Sequence, residues 1–243
     1  MSGAAVTWLG HATVLIELAG VRLITDPVLR QRVAHLRRQA PPPAPPGPLD
    51  AVLLSHLHRD HLDLPSLRGL DEVGVVIVPR GAGHAVRGIG HAVVELAAGD
   101  ELEVGGVRVR AVEAIHDGRR SPAGRAADAV GFIVEERARI YFAGDTERFD
   151  AMAGFAPLDV ALLPVWGWGP KLGPGHMDPE DAAAAAALLR PDVAIPIHWG
   201  TFTAPALRHG DPDEPPRRFR DRCAEVAPET RVELLRPGES LPL

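Results

Sequence analysis

The segment Ser-His-Leu-His-Arg-Asp-His at residues 55–61 carries the side chains best suited to chemistry. It follows the apolar run 51–54, which is typical of a buried strand, so a loop at the end of that strand can direct several side chains toward one point. Imidazole nitrogen and carboxylate oxygen are the ligands that Zn²⁺ and similar divalent ions accept. The spacing therefore predicts a metal site formed by His56, His58, Asp60 and His61.

Three further polar residues each come directly after an apolar segment: His116, Asp145 and His198. Strand ends that face one edge of a sandwich converge, so each of these side chains can reach the same pocket as the histidine cluster. Taken singly, each has a simpler interpretation, because a histidine can cap a strand and an aspartate can open a turn. Together with the cluster, they predict one larger metal site.

The pattern around these residues predicts strands in two sheets with helices packed outside. Residues 179–189 and 215–226 predict helices, the first with a proline in its first turn, and the proline-dense residues 41–48 predict an irregular loop. Apolar and alternating runs predict strands at residues 6–9, 13–18, 21–24, 75–78, 131–135, 140–143, 193–197 and 232–235, and a hairpin at 101–112.

The chain resembles the metallo-β-lactamase superfamily, whose signature is His-x-His-x-Asp-His followed by a histidine, an aspartate and a histidine. All seven positions are matched, and flanking segments at residues 8–13, 25–27, 144–146 and 175–180 also match. These segments resemble the branch that contains ascorbate-6-phosphate lactonases and the phospholipase D acting on N-acyl-phosphatidylethanolamine. The resemblance implies a four-layer αββα sandwich, an α/β fold, as a single domain over residues 1–243.

The resemblance also implies a ligand set for two divalent metal ions. His56, His58 and His116 would hold the first ion, and Asp60, His61 and His198 the second, with Asp145 bridging both. Zinc suits five imidazoles and two carboxylates, and manganese, iron and nickel are compatible with the same set. Relatives that use two irons for oxygen or nitric oxide reduction carry glutamate at the position of His58, so the imidazole here favours hydrolysis.

We therefore expect a hydrolase in which a hydroxide shared by two metals attacks a phosphodiester. A lactone or other cyclic ester is an alternative substrate, because both reactions pass through a centre that gains oxyanion character. A metal-loaded binding or sensing protein without turnover is an alternative of another class. Asp60 or His176 would assist the leaving oxygen, and His176 lies in a glycine-rich loop from which it can reach a bound phosphate.

Two groups of residues are predicted around the metals. His11 and Asp26 lie in motifs that sit beneath the metals in relatives, and Asp26 suits the role of accepting a hydrogen bond from a ligating histidine. A buried, satisfied histidine and a turn before Pro27 are the simpler interpretations. The predicted substrate contacts, which loop packing or solvent exposure would equally explain, are Trp166, Trp168, Lys171 and Arg119.

Composition limits the class of protein. The 243 residues carry a net charge of −6, which argues against a general nucleic-acid binder. Cys223 is the only cysteine, so no intrachain disulfide forms. The first residues lack the features of a signal peptide, and no apolar run approaches the ~20 residues that cross a bilayer. We expect a cytoplasmic protein without stable membrane anchoring that acts on a small anionic or ester substrate.

Overall fold

The computed structural model describes residues 3–39, 41–121, 124–166, 172–204 and 210–243. Its helices are α1 (Leu64–Arg68), α2 (Pro179–Leu189) and α3 (Glu214–Val226), with 3-10 turns at Gly83–Val86 and Asp150–Phe155. Its strands, in chain order, are β1 (Ala5–Gly10), β2 (Thr13–Leu18), β3 (Val21–Thr25), β4 (Arg32–Val33), β5 (Leu36–Arg38), β6 (Leu49–Leu53), β7 (Val73–Pro79), β8 (Val93–Leu96), β9 (Glu101–Val104), β10 (Val107–Glu113), β11 (Val130–Glu135), β12 (Arg139–Phe142), β13 (Leu158–Pro164), β14 (Pro191–Ile197), β15 (Phe202–Thr203), β16 (Arg231–Val232) and β17 (Ser240–Pro242).

The first sheet has the strand order β17-β1-β2-β3-β6-β7-β8. Tight turns join β1, β2 and β3 as an antiparallel meander, and β6, β7 and β8 continue the sheet parallel to β3. The register of β3 and β6 pairs Thr25 with Leu53, so both strands end at the same edge. Asp26 and the loop that begins at Leu54 therefore leave the sheet side by side.

The second sheet has the order β16-β14-β13-β12-β11-β10-β9. Strands β12, β13, β14 and β16 are parallel, whereas β9, β10 and β11 are antiparallel to their neighbours. Because β10 and β12 both pair antiparallel with β11, they point the same way. The chain after β10, β12 and β14 therefore emerges at one edge. A small third sheet, β15-β5-β4, packs beside this edge.

The main apolar core lies between the two large sheets, and the alternation of side chains along β2 shows how it forms. Val14 and Ile16 belong to the main core, whereas Leu15 lies in a second apolar cluster on the outer face. Leu67 of α1 packs in that outer cluster, and Phe219 of α3 joins the core from the far side of the second sheet. The predicted αββα sandwich is confirmed, although the helical layer on the first sheet is thin.

Helix α2 begins and ends at residues that the sequence marks. Asp178 caps it by accepting a hydrogen bond from the backbone N–H of Asp181, and Pro179 occupies its first turn. Arg190 ends it in the left-handed conformation at φ 47°. This start matters for function because the capped turn fixes the loop immediately before it, which carries His176.

The predicted final strand at 232–235 is wrong in extent. Strand pairing with β14 covers only Arg231 and Val232, followed by one backbone hydrogen bond from the Glu233 N–H to the Ala194 carbonyl at 3.0 Å. Leu235 is apolar because it packs into the core and not because it extends the strand. Within the described residues, no helix is both long and apolar enough to cross a membrane.

Candidate metal centre

The seven side chains predicted as metal ligands lie at one edge of the sandwich. Each follows the end of a strand that points to this edge: β6 precedes four of them, and β10, β12 and β14 precede one each. The turn after β1 and the loop after β3 bring His11 and Asp26 to the same edge. Most side chains of the site therefore come from residues that directly follow strands ending at the same edge of the sandwich.

One group of donor atoms consists of His56, His58 and His116, whose ligand atoms all lie within 4.8 Å of one another. The Nε2 atom of His116 is 3.0 Å from the Nδ1 atom of His58. The ring of His56 meets the rings of both others edge to face, at centroid distances of 4.6 and 4.5 Å. Three imidazoles thus surround one point.

A second group consists of His11, Asp60, His61 and His198, again with donor atoms within 4.8 Å of one another. The Nε2 atoms of His61 and His198 are 3.2 Å apart. Asp60 Oδ2 lies 3.7 Å from His198 Nε2 and 3.2 Å from His11 Nε2. His11 therefore lies at hydrogen-bonding distance from the Asp60 carboxylate, and its predicted position beneath the metals stays a prediction.

Asp145 stands between the two groups. Its Oδ2 atom is 3.9 Å from His56 Nε2 on one side and 3.2 Å from His61 Nε2 on the other, and its Oδ1 atom is 3.4 Å from His198 Nε2. Gly144 precedes it at φ 62°, where a Cβ atom would come within 2.6 Å of the Ser55 Cβ. The loop that carries Asp145 therefore packs directly on the segment that carries His56.

The unpaired atoms of this site fit bound cations. Among the described residues, His56 Nε2 and Asp145 Oδ1 are buried without a hydrogen-bond partner, and buried polar atoms rarely stay so unless an ion or water meets them. The short nitrogen-to-nitrogen distances between His58 and His116, and between His61 and His198, bring pairs of ring lone pairs together. A divalent cation is the group whose chemistry satisfies lone pairs of this kind.

Asp26 organises one histidine of each group. Its carboxylate accepts hydrogen bonds from the Ser55 backbone N–H at 2.7 Å, from the Ser55 hydroxyl at 2.5 Å and from His61 Nδ1 at 2.7 Å. Because the Ser55 hydroxyl donates to Asp26, it accepts from His56 Nδ1, which is 2.9 Å away. Both imidazoles therefore carry their proton on Nδ1, which leaves Nε2 free to bind a metal.

His116 is oriented through a peptide group. Its Nδ1 donates to the carbonyl of Gly175 at 2.7 Å, and the N–H of Gly175 donates to Glu147 Oε1 at 2.7 Å. Gly175 has φ 79°, and a Cβ atom there would lie 2.6 Å from His116 Nδ1. Only glycine fits this close approach, so the loop before α2 sets both the tautomer and the position of His116.

The loop that carries the histidine cluster is also held from outside. The backbone N–H of Leu57 donates to the carbonyl of Gly118 at 3.2 Å. The Nη1 atom of Arg120 donates to the carbonyls of Leu57 and Leu62, at 3.2 and 3.1 Å. These two carbonyls flank the segment that carries His58, Asp60 and His61. Arg120 therefore fixes both ends of that segment to the chain that follows His116.

Backbone strain concentrates at this edge. Seven non-glycine residues of the described chain have positive φ, and four of them are site residues: His11, Asp26, Trp166 and His198. At His11 the strained turn is held by its carbonyl, which accepts from the Trp8 indole at 2.8 Å and from the His198 N–H at 2.9 Å. Strain of this kind persists where surrounding contacts over-determine it, as happens at functional sites.

The ionisation of the side chains also suits cations. Burial lowers the pKa of His116 to about 4 and of His11 to about 3, so these rings are neutral at pH 7. Burial alone would raise the pKa of Asp145, but the charges of His198 and His61 outweigh it and hold the carboxyl well below its usual range. Burial opposes a raised pKa at His61, yet Asp145 and Asp26 raise it, and the same negative charges attract a metal ion.

The remaining predicted residues have different placements. His176 Nε2 is 3.5 Å from Asp145 Oδ2, and the Trp166 ring centroid is 5.4 Å from that of His176 and 6.2 Å from that of His198. Arg119 pairs with Asp117 through Nη2 at 2.7 Å, so its predicted contact with substrate stays a prediction. Trp168 and Lys171 lie outside the described residues.

Sequence reasoning missed Ser55 and Glu147 as contributors to this site, and it did not predict the contacts that Gly175 and Arg120 make with other loops. Ser55 directly precedes the histidine cluster and Glu147 follows the Gly-Asp-Thr turn, so their positions in the chain offered a signal. The contacts of Gly175 and Arg120 join loops about 60 residues apart, as the pairing of Arg120 with Leu57 and Leu62 shows. Such contacts leave no local pattern.

Comparisons with known proteins agree with this geometry. The family described as "Beta-lactamase superfamily domain" matches residues 21–199, which include all seven predicted ligands. A solved structure, the metallo hydrolase Igni18 of Ignicoccus hospitalis, superimposes with a TM-score of 0.75 at 25% identity, over 99% of this chain and 98% of that one.

Curated relatives are similar at the level of sequence. A UPF0173 metal-dependent hydrolase of Methanopyrus kandleri is 33% identical over 97% of this chain and 98% of its own length. The N-acyl-phosphatidylethanolamine-hydrolyzing phospholipase D 1 of Caenorhabditis elegans is 32% identical over 83% of this chain and 65% of its own length. An uncharacterized Mycobacterium tuberculosis protein is 34% identical, and the matched part spans 63% of its length.

Proposed function

This chain belongs to the metallo-β-lactamase superfamily, and we propose that it is a metal-dependent hydrolase whose site binds two divalent ions. The observation that carries the proposal is the position of Asp145, whose carboxylate lies within 4 Å of donor nitrogens in both groups, at His56 and at His61. A carboxylate has two oxygens and lowers the repulsion between two dications, so it is the natural link between neighbouring metal positions.

The ligand assignment follows from the two groups. His56, His58 and His116 would hold one ion, and Asp60, His61 and His198 the other, with Asp145 shared. Zinc fits this set of donors, and manganese, iron and nickel are compatible with it. Ions bound there would lower the pKa of a coordinated water to about 7 and stabilise negative charge that develops during ester cleavage.

His176 would move a proton at the leaving oxygen. Its Nδ1 faces the carbonyls of Gly173 and Pro174, at 3.2 and 3.0 Å, so the ring is oriented with Nε2 toward the site. Burial opposes a raised pKa at His176, but Asp145, whose Oδ2 lies 3.5 Å from Nε2, raises it, so the charged ring would carry on Nε2 the proton that it gives to the leaving oxygen. Trp166, in ring contact with His176, would form an apolar wall that excludes water from this side.

We propose a phosphodiester as the substrate, and the worm relative named as a phospholipase D supports this class. A lactone or other cyclic ester is the second candidate, as the branch resemblance implies. Either substrate would be a small molecule, and Asp60 would act beside His176 on the leaving oxygen. A non-catalytic metal-binding role is the remaining alternative, and metal-loaded protein that hydrolyses neither class of substrate would support it.

The test combines metal analysis with a substrate panel. Protein purified without added metal should contain close to two divalent ions per chain, and it should hydrolyse bis(p-nitrophenyl) phosphate in preference to a small lactone. His58→Ala should abolish hydrolysis and lower the metal content, whereas exchange of the half-buried His84, in the 3-10 turn at Gly83–Val86, for alanine should change neither. Lactone turnover alone would reassign the substrate class, and metal-loaded protein inactive on both would contradict the hydrolase.

A further inference from the structure

A groove of about 210 Å³ runs beside the candidate metal centre. One wall is the turn between β4 and β5, and the other is the ligand loop after β6. The groove shares two lining residues, His58 and Asp60, with the candidate metal centre, so it adjoins the point where a scissile bond would lie. It is lined by Val33, Ala34, His35, Leu36, His58, Arg59 and Asp60.

The wall formed by the turn is fixed. Val33 and Leu36 pair across a two-residue turn, and both are buried in a small apolar cluster with Phe202. Ala34 in that turn has φ 49°, a left-handed conformation that a non-glycine residue holds only when its surroundings determine it. This turn presents His35 to solvent at the rim of the groove.

The opposite wall carries a cation without a counter-ion. Arg59 is exposed between the ligand candidates His58 and Asp60, and within the described ranges of the chain it forms no ion pair. The Asp60 carboxylate does not neutralise it, because Oδ2 is turned inward to His11 at 3.2 Å. The positive charge of Arg59 also lowers the pKa of the nearby Arg120, after the larger effect of burial, so two guanidinium groups lie close together here.

We propose that this groove is a substrate subsite that binds a second anionic group, a carboxylate or phosphate, at a short distance from the scissile ester. Arg59 binds the anion, His35 closes the rim, and the exposed methyl group of Ala34 contacts the short linker. The volume is on the order of several water molecules, so it suits a compact charged group. The proposal rests on the hydrolase function proposed above.

Two phosphodiesters that differ only in the remote charge test this subsite: p-nitrophenyl 2-carboxyethyl phosphate and p-nitrophenyl propyl phosphate. The scissile bond and leaving group are the same in both. We expect wild-type protein to favour the carboxyethyl diester by roughly 10-fold in kcat/KM, which corresponds to about 1.4 kcal/mol. Arg59→Gln should reduce this preference to within about 2-fold, because kcat/KM for the carboxyethyl diester should fall more than kcat/KM for the propyl diester.

A binding measurement gives a readout that needs no turnover. Calorimetry with 2-carboxyethylphosphonate and propylphosphonate should show the same preference in wild-type protein and its loss in Arg59→Gln. His35→Gln should weaken the preference by a smaller factor. Arg137→Gln is the matched control, because Arg137 is an exposed arginine in the turn between β11 and β12, at the far edge of the sandwich.

Each outcome decides the proposal. A preference that persists in Arg59→Gln, or that disappears equally in Arg137→Gln, would overturn the subsite while leaving the hydrolase intact. Equal use of both diesters by wild-type protein would do the same. Failure of metal-loaded protein to hydrolyse either diester, together with equal binding of the two phosphonates, would overturn the proposed phosphodiesterase and this subsite with it.

Discussion

The two sheets supply the candidate metal centre in different ways. The first sheet provides four donors, His56, His58, Asp60 and His61, from one loop after β6. The second sheet provides one donor at the end of each of three strands. A contiguous loop sets its donors by local geometry, whereas separate strand ends need the register of the whole sheet.

The hydrogen bonds that orient the donor side chains also differ between the two sheets. The loop of the first sheet rests on the buried Asp26, which orients His56 through Ser55 and His61 directly. On the second sheet, His116 depends on its own local contact with Gly175. A change under the loop should therefore disturb both groups of donors, whereas a change near one strand end should disturb only one.

The largest effect is expected where the two halves meet. Asp145→Ala removes the carboxylate between the two groups, so hydrolysis should fall by on the order of 10³-fold or more and metal content should drop below that of wild type. Steady-state kinetics and elemental analysis measure both quantities. Exchange of the exposed Asp71 for alanine is the control, and activity that survives in Asp145→Ala would remove the shared-ligand assignment.

Asp26→Asn should weaken both groups together. The amide cannot accept the three hydrogen bonds that the carboxylate now receives, so we expect metal affinity to fall roughly 10–100-fold at both positions. Competition with a chromophoric chelator resolves the two binding steps. Ser55→Ala should lower metal affinity mainly at the position held by His56. If Asp26→Asn weakened only one of the two metal-binding steps, Asp26 would not support both groups of donors.

Gly175→Ala should weaken only one group. The new Cβ would meet His116 Nδ1 at 2.6 Å at a positive φ, so His116 must shift and affinity at its position should fall by about 10-fold or more. The same competition assay measures the change. Gly154→Ala is the control, since a Cβ there has no neighbour within 4 Å, and equal metal binding by both variants would count against the close contact.

Arg120→Ala should have the smallest effect. It removes two hydrogen bonds to the ends of the ligand loop, each worth roughly 1.5–3 kcal/mol for a charged donor, but solvent replaces part of this at a half-buried site. Thermal unfolding should show a lower Tm, with metal affinity reduced by only about 3-fold. Arg80→Ala, at an exposed pair with Asp128, serves as the comparison, and an equal loss there would show that Arg120 has no special role.

Much of the fold could be predicted from local patterns. Helix α2 has the predicted bounds, strand β2 does too, and the hairpin about Gly105 and Gly106 is confirmed. The sequence analysis did not predict strand β13, because its continuous apolar run lacks the alternation that marks a half-buried strand. The short strands β4, β5, β15 and β17 also escaped, since pairs of two or three residues depend on partners distant in the chain.

For the candidate metal centre too, local features could be predicted from the sequence and contacts between distant residues could not. The sequence by itself determined the donor types and the four clustered donors, because ligand chemistry and short spacing are local properties. Tertiary structure alone decided that His11 joins Asp60 and His198, that Gly175 contacts His116, and that the β4–β5 turn forms a groove with Arg59. Those relations arise from strand register and loop packing, in which residues far apart in the chain meet only after the two sheets have closed around their core.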